Sequence, residues 1–465
     1  MAGPDHRNEA LAQWVRAAGV TYARLADEVI CTARSHGRRD IQPDRSRVGR
    51  WINRGERPRD PVPLFLAETL TRLCKLPRPL TLVDIGLRGR LPGGPTASWR
   101  ADAVVAAIID TARSDALTDE SAPPTVPLLK GPQLIGAVQP WLHLPDEPLP
   151  NPIRPGRIGM NDVRNIEAAT DAFRALDSAH GGGLSRRAVV GQLHDVTLLA
   201  TNGRTSDEVG CALFVAIADL ASVAGWMNHD DGRHAEAQHY FLLGLQAAKQ
   251  AGPDGAGIAG HLLNCLSRQA NHLGRAEDAL ELVQAAQYGT RKLPPGRLRA
   301  FLCTLEARCH AVLGHLLESS RAIGTADDAL AADRGEPAPS WARWFDDAEY
   351  QVTAGVCESI AATHDPRHAT RAIELIGAGT TQRPAERVRS RAFDQIALAR
   401  AQVQAGQLEA ADHTITIALE LLGRITSTRV TDRLRELDAE LVNMPSGIAA
   451  EARERIRTAL PAEIA

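Results

Sequence analysis

The residues with the clearest chemical potential lie between positions 43 and 58, in the run Pro-Asp-Arg-Ser-Arg-Val-Gly-Arg-Trp-Ile-Asn-Arg-Gly-Glu-Arg-Pro. Asp44 can cap a helix, because its side-chain oxygen accepts a backbone N–H of the first turn. Val48, Trp51 and Ile52 follow at helical spacing and give that helix one apolar face. Guanidinium and hydroxyl groups suited to a DNA major groove occupy the rest of its surface. We predict DNA contacts from Arg45, Ser46, Arg47, Arg50 and Arg54.

The flanking sequence supplies elements that could position this helix. Apolar residues recur at helical spacing over 11–18 and 25–30, which predicts two helices before it. Residues 62–76 predict a fourth helix, and residues 81–86 predict a short fifth turn. Five short helices with the third presented outward make a helix-turn-helix module over 1–91. The alternative is a solvated basic helix in a domain that touches no nucleic acid.

Charge is distributed unevenly along the chain. Residues 1–91 hold 17 Arg and Lys against 10 Asp and Glu, a net charge of +7, whereas the whole chain carries −3 and the remainder therefore −10. Only four of the 53 basic residues are lysine, so the number of arginines is by itself uninformative. A basic end on an acidic chain is typical of a segment that binds phosphates.

Composition limits the classes of protein to which the chain could belong. Its 465 residues imply two or more domains, and the abundance of alanine, leucine and arginine favours helices. We expect a cytoplasmic location, because the seven cysteines are scattered without a C-x-x-C pair and neither a signal peptide nor a membrane span is evident. The sequence contains no nucleotide-binding P-loop and no nucleophile elbow. We therefore expect no enzymatic activity, no cofactor and no metal.

Residues 92–156 are rich in proline and glycine. Ten prolines lie between positions 123 and 155, and one amphipathic segment covers 104–112. Because proline interrupts helices, this composition predicts a linker with one short helix.

A repeated pattern of small residues organises residues 157–465. Gly225, Gly232 and Ala237 form one register, and similar small residues recur 42, 82 and 174 positions later. The recurring sets are Ser267-Gly274-Ala279, Ala307-Gly314-Ser319 and Ala399-Gly406-Ala411. In each set the first and last residues would let two helices approach closely, and the glycine would form the turn. Residues 427–460 read as a closing helical cap. The pattern is similar to the tetratricopeptide repeat and implies a right-handed helical solenoid.

A row of polar residues marks the predicted concave wall of this solenoid. His261, Asn264, Arg268 and Asn271 lie at i, i+3, i+7 and i+10, on one face of a helix. Amide and guanidinium groups can bind a peptide backbone or a carboxylate. Trp226 and Arg308 would face the same groove from neighbouring units, so we predict that these six residues bind a peptide, small-molecule or protein effector. The alternative is a groove that is merely solvated.

The N-terminal module resembles the lambda-repressor-like, or Xre-type, DNA-binding family. The resemblance rests on Leu25-Ala26, on Ser46-x-Val-Gly-x-Trp-x-Asn-x-Gly55 and on Pro58. The connection from Cys31 to Pro43 is longer than in that family. Either helix two is extended or a small wing has been inserted.

The chain as a whole resembles actinobacterial regulators that join an Xre-like module to tetratricopeptide-like repeats. This resemblance adds three further motifs, which are Arg157-Ile-Gly-Met-Asn-Asp-Val163, Leu176-Asp-x-x-x-Gly-Gly-Gly183 and Ala224-Gly-Trp-Met-x-x-Asp230 with Gly232 and Ala237. It implies a transcriptional regulator of antibiotic production or sporulation, which binds double-stranded DNA as a homodimer and associates with the nucleoid. The alternative is an adaptor that has lost DNA binding and acts through protein–protein interaction.

Overall fold

The structure is a computed structural model, and it describes residues 8–35, 38–56, 58, 62–74, 80, 85–87, 98–117, 126–144, 158–180, 186–202, 206–333, 335, 338–425 and 427–460. The chain divides into two compact units, Met1–Pro92 and Gly93–Ala465. Over the described ranges it forms twenty α-helices and no strand, so the prediction of an all-α fold is confirmed.

The first unit contains four helices in the described ranges: α1 (Glu9–Ala17), α2 (Tyr22–Ser35), α3 (Arg45–Asn53) and α4 (Val62–Leu73). Their apolar faces meet in one core with Leu11, Leu25 and Ile52 at its centre. Of the predicted fifth turn (81–86) only residues 85 and 86 are described, and Ile85 and the following Leu87 are buried in the same core.

The connection before α3 is explained by an extended second helix. α2 continues to Ser35, and Ile41 is buried further along the connection. Residues 36 and 37 lie outside the described residues. The described part of the connection forms no strand, which favours the longer helix over a wing.

The prediction of a proline-rich linker with one short helix is wrong for part of residues 92–156. This segment contains two helices, α5 (Ala101–Leu117) and α6 (Pro132–His143). Both bury apolar side chains, among them Val104, Ile108 and Trp141, in the core of the second unit. α5 contains no proline, and Pro132 occupies the first turn of α6, where its missing N–H costs nothing. Pro140 lies inside α6, which therefore forms despite one interior proline. Residues 92–97, 118–125 and 145–157 lie outside the described residues.

The rest of the second unit consists of further helices, most of them in pairs. α7 (Met160–His180) and α8 (Arg186–Asn202) come first. Turns of three or five residues then join α9 (Asp207–Asp230) to α10 (His234–Gln250), α11 (Ala256–His272) to α12 (Ala276–Thr290), α13 (Arg297–Val312) to α14 (Leu316–Ala331), α15 (Asp347–Ala362) to α16 (His368–Gln382), α17 (Val388–Gln404) to α18 (Leu408–Leu422), and α19 (Thr428–Leu441) to α20 (Gly447–Ala459). The helices of each pair pack against each other, and each pair contacts the next. Arg157 and Gly181–183, which belong to the motifs of the resemblance, lie outside the described residues.

The turn glycines occur where the repeated pattern predicts them. Gly232, Gly274, Gly314 and Gly406 adopt φ of 79°, 71°, 77° and 72°, in the left-handed region that side chains with a Cβ disfavour. The small residues also bring the paired helices together, because the Ser267 hydroxyl donates a hydrogen bond of 2.8 Å to the Ala279 carbonyl across the α11–α12 pair.

α9 shows that the expectation of no apolar segment long enough to cross a membrane was wrong. By length and composition Asp207–Asp230 could span a bilayer, but 72% of its apolar window is buried inside the protein. Leu213, Ile217 and Leu220 are fully buried among neighbouring helices. Burial in the core therefore accounts for its composition.

Candidate functional site

The first candidate site is the outer face of α3. Asp44 caps this helix, as predicted, by accepting a hydrogen bond of 2.8 Å from the Arg47 backbone N–H. The backbone N–H of Asn8 donates to the Ile52 carbonyl at 2.8 Å, which ties the start of α1 to the last turn of α3. The side chain of Asn8 also bonds the carbonyls of Ile85 and Gly86. One residue thus holds α3 against two other parts of the unit.

Four of the five predicted DNA-binding residues are exposed on this surface, and Arg50 is half-buried. Arg45, Ser46 and Arg47 lie in the first turn, and Arg54 follows the last. Arg45, Arg47 and Arg54 form no ion pair with a described residue, whereas Arg50 Nε pairs with Glu56 Oε2 at 2.9 Å. Three guanidinium groups are consequently available to an anionic partner, and the fourth is partly neutralised.

The second candidate site is a cavity of about 730 Å³ within the second unit. Its lining comes from α7, from residues 340–344, which begin with a short 3-10 turn, and from the first helix of each of the six pairs. These first helices are α9, α11, α13, α15, α17 and α19. The second helices of the pairs contribute no lining residue. A cavity of this size falls within the range of small-molecule sites.

Ion pairs between distant parts of the chain close the cavity. Arg389 of α17 binds Asp177 of α7 with two bonds of 3.0 and 2.6 Å. Its Nη1 also binds Asp230 at the end of α9, at 3.0 Å. Asp230 receives further bonds from Ser427 at 2.9 Å and from Arg429 at 2.8 Å. Burial opposes ionisation of Asp230, but the two guanidinium groups hold its pKa below the usual range. Early and late helices of the second unit therefore meet at this cavity.

Four of the six predicted effector residues line this cavity: Trp226, His261, Arg268 and Arg308. The other two do not. Asn264 is completely buried, and its amide has no hydrogen-bond partner among the described residues. The Asn271 amide nitrogen donates to the Cys309 Sγ at 3.1 Å. Of the four residues on the predicted wall, His261 and Arg268 therefore line the cavity.

Arginines and carboxylates are numerous on the cavity wall. Nine arginines and six carboxylates line it. Seven of the arginines pair with a carboxylate: Arg174, Arg343, Arg387, Arg389, Arg400, Arg429 and Arg433. Arg268 and Arg308 form no ion pair with a described residue, and the buried Nε of Arg308 has no hydrogen-bond partner there.

The environment of these two arginines disfavours their charge. Burial lowers the pKa of Arg268, and burial together with the charges of Arg433 and Arg268 lowers the pKa of Arg308 to about 10. The Arg268 guanidinium lies between two indole rings, 5.2 Å from the centroids of both Trp226 and Trp344. Cation–π contacts of this kind compensate only part of the lost hydration. Both guanidinium groups therefore have unused capacity for an anion.

Three imidazoles form a second cluster, in which His229 and His272 line the cavity and His234, at the start of α10, does not. The ring centroids of His229, His234 and His272 lie 5.1 to 5.6 Å apart. Burial lowers the pKa of all three, and neighbouring arginines contribute. Among the described residues, no group of three or more His, Cys, Asp or Glu could hold a metal ion. The positive surroundings would also oppose a cation.

Sequence reasoning missed Trp344, Arg389 and Arg429. Trp344 follows the 3-10 turn (Ser340–Ala342), outside any paired helix, where the repeated pattern makes no prediction. Arg389 and Arg429 take part in the ion pairs that close the cavity, and their acidic partners are 159 or more residues away. The excess of arginine over carboxylate in α17, three against one, was a weak available signal.

Comparison with known proteins gives one family match. Residues 11–88 match the sequence-family model described as the SP15 N-terminal domain. The first unit is thus similar to that family. Neither a helix-turn-helix nor a tetratricopeptide family model matches the chain. No curated protein and no solved structure matches it.

Proposed function

We propose that the chain is a sequence-specific DNA-binding transcriptional regulator of secondary metabolism or development, whose DNA binding responds to a ligand in the cavity. The observation that carries the proposal is the outer face of α3, where Arg45, Arg47 and Arg54 are exposed without an ion-pair partner among the described residues. The net charge of +7 on residues 1–91 supports the same role, since it would attract a polyanion.

In this proposal α3 enters the major groove of double-stranded DNA. Its first turn, with Arg45, Ser46 and Arg47, approaches base edges and phosphates, while Arg50 and Arg54 contact the backbone beyond. The protein acts in the cytoplasm as a homodimer, so that two copies of α3 read two half-sites.

The second unit then serves as the sensor. We interpret its stacked helix pairs as a right-handed tetratricopeptide-like solenoid whose first helices form the inner wall. A ligand that binds one conformation of this wall better than another shifts the population of DNA-binding states. The amount of shift is bounded by the ligand's difference in affinity for the two states.

The test begins with a chromatin immunoprecipitation map and continues with the most enriched fragment. In fluorescence anisotropy, Arg47→Ala should weaken binding of that fragment at least tenfold and reduce the slope of log affinity against log salt by about one, because one phosphate contact is lost. Arg371→Ala removes an exposed arginine from α16 and is the matched control, with an expected change below twofold. Circular dichroism checks that each variant remains folded.

Two outcomes would contradict the proposal. The first is a map without enriched sites, and the second is equal weakening by Arg47→Ala and Arg371→Ala. If salt-insensitive capture of a protein partner accompanied either result, the chain would instead act as an adaptor.

A further inference from the structure

The two arginines without carboxylate partners indicate the chemistry of the ligand, an inference that deepens the sensor role proposed above and rests on it. Arg268 projects from α11 and Arg308 from α13, and both line the same cavity. In a wall where seven other arginines are paired, these two form no ion pair with any described residue. Burying a guanidinium without a counter-ion is costly, so an anion that enters the cavity would relieve that cost.

The remaining wall is suited to an apolar or aromatic group. Trp226, Phe301, Trp344 and Phe393 all line the cavity. Trp226 and Trp344 flank the Arg268 guanidinium, so an aromatic ligand group beside them would lie next to the positive charge. Rings of this kind supply large contact areas and fix the orientation of a planar ligand.

We propose that the cavity binds a small organic anion whose carboxylate or phosphate pairs with Arg268 and Arg308 and whose aromatic part packs against Trp226 and Trp344. Guanidinium groups bind both kinds of head group through paired N–H···O bonds. Arg268 and Arg308, which form no ion pair with a described residue, favour an anion over a neutral or cationic ligand. The volume of about 730 Å³ accommodates a molecule of one or two fused rings with substituents.

Isothermal titration calorimetry on the full chain tests the proposal with three probes of one shape. These are 2-naphthoate, 2-naphthyl phosphate and the neutral 2-naphthamide. We expect at least one of the anions to bind at least tenfold more tightly than the amide, and the tighter anion identifies the preferred head group. Equal affinity of the amide and both anions, or no binding of any probe at 1 mM, would overturn the proposal.

Variants assign the binding to the two arginines. Arg268→Gln and Arg308→Gln should each weaken the preferred anion at least tenfold and leave the amide within twofold. Arg371→Gln, on the exposed surface of α16, should leave all affinities within twofold. Unchanged anion binding in both cavity variants would refute the assignment.

The melting temperature of the ligand-free protein provides a second, independent measurement. Because Arg308 has no partner for its buried Nε, Arg308→Gln should leave the melting temperature unchanged or raise it. A drop of several degrees would mean that Arg308 already has a stabilising partner, and the proposal would fail.

None of these measurements involves DNA. If the protein binds the anion but no operator DNA can be found, the proposed regulatory function is overturned and the cavity assignment stands. If the protein binds an operator but none of the three probes, the cavity assignment is overturned and the proposed regulatory function stands.

Discussion

Replacing Gly225 by alanine should destabilise the second unit, although alanine is the better helix former. A Cβ at this position in α9 would lie 2.3, 2.5 and 3.0 Å from three ring atoms of Phe241. Ordinary contacts between carbon atoms are about 3.5 to 4.0 Å, so the ring would have to move by more than about 1 Å. Phe241 is completely buried and meets Trp226 edge-on at 5.7 Å between centroids, which leaves little room for that movement.

The expected magnitude follows from two opposing terms. Overpacking a core costs about 1–3 kcal/mol, and the clash with three ring atoms places Gly225→Ala near the upper end. The gain in helix propensity from glycine to alanine is about 1 kcal/mol. We therefore expect the free energy of unfolding to fall by about 2 kcal/mol. Urea unfolding followed by far-UV circular dichroism measures it from the transition of the second unit.

Gly324→Ala is the matched control. Gly324 lies within α14, is exposed, and a Cβ there would meet no atom within 4 Å. Without a clash, this substitution should raise the free energy of unfolding by up to about 1 kcal/mol. Combining Gly225→Ala with Phe241→Leu, which shortens the clashing side chain, should cost less than the sum of the single changes. A Gly225→Ala protein as stable as the natural one, or strictly additive effects, would refute the reasoning.

Three further predictions concern stability. Asp44→Ala removes the cap of α3 and should lower the free energy of unfolding of the first unit by about 1 kcal/mol, measured by urea titration. An unchanged free energy of unfolding would mean that the cap does not stabilise the unit. Asp230→Asn leaves Arg389 and Arg429 without their shared carboxylate and should cost about 3–5 kcal/mol, whereas Glu374→Gln, in an exposed pair on α16, should change stability by less than about 0.5 kcal/mol. Similar midpoints for these two variants would contradict the buried closure. Burial lowers the pKa of His239 to about 4, and the unfolded chain therefore takes up a proton below about pH 6.5 that the folded chain does not. The stabilisation from this residue is complete above that pH and should decrease by about 1 kcal/mol at pH 5.5. If the urea midpoint of His239→Gln falls by the same amount between about pH 7 and pH 5.5, the pH dependence has another origin.

Local patterns in the sequence predicted several parts of the fold correctly. The cap at Asp44, the apolar face of α3 and the turn glycines depend on residues only a few positions apart. Helical periodicity and left-handed turns are properties of such short stretches, so one sequence is sufficient to recognise them. The linker prediction failed because α5 is stabilised by burying Val104 and Ile108 against other helices, which composition does not show.

Only part of the predicted wall on α11 lines the cavity, and the contacts of this helix show the reason. This helix contacts α9, α10, α12 and α13, so it is buried on most sides. Polar residues at helical spacing then do not reveal which side faces a cavity. His261 and Arg268 face the cavity, while Asn264 is enclosed by the protein.

Local sequence patterns therefore identified the cap and apolar face of α3, the glycines of the turns and the uneven distribution of charge. Each of these follows from backbone geometry or from simple counting over neighbouring positions. The cavity between the pairs depends on contacts between residues far apart in the chain, such as Asp230 with Arg389 across 159 residues, and local patterns do not show these contacts. The tertiary structure also decided which arginines remain without a partner, since that depends on the position of every carboxylate in the surrounding helices. The ligand chemistry proposed for the cavity follows from this second kind of information.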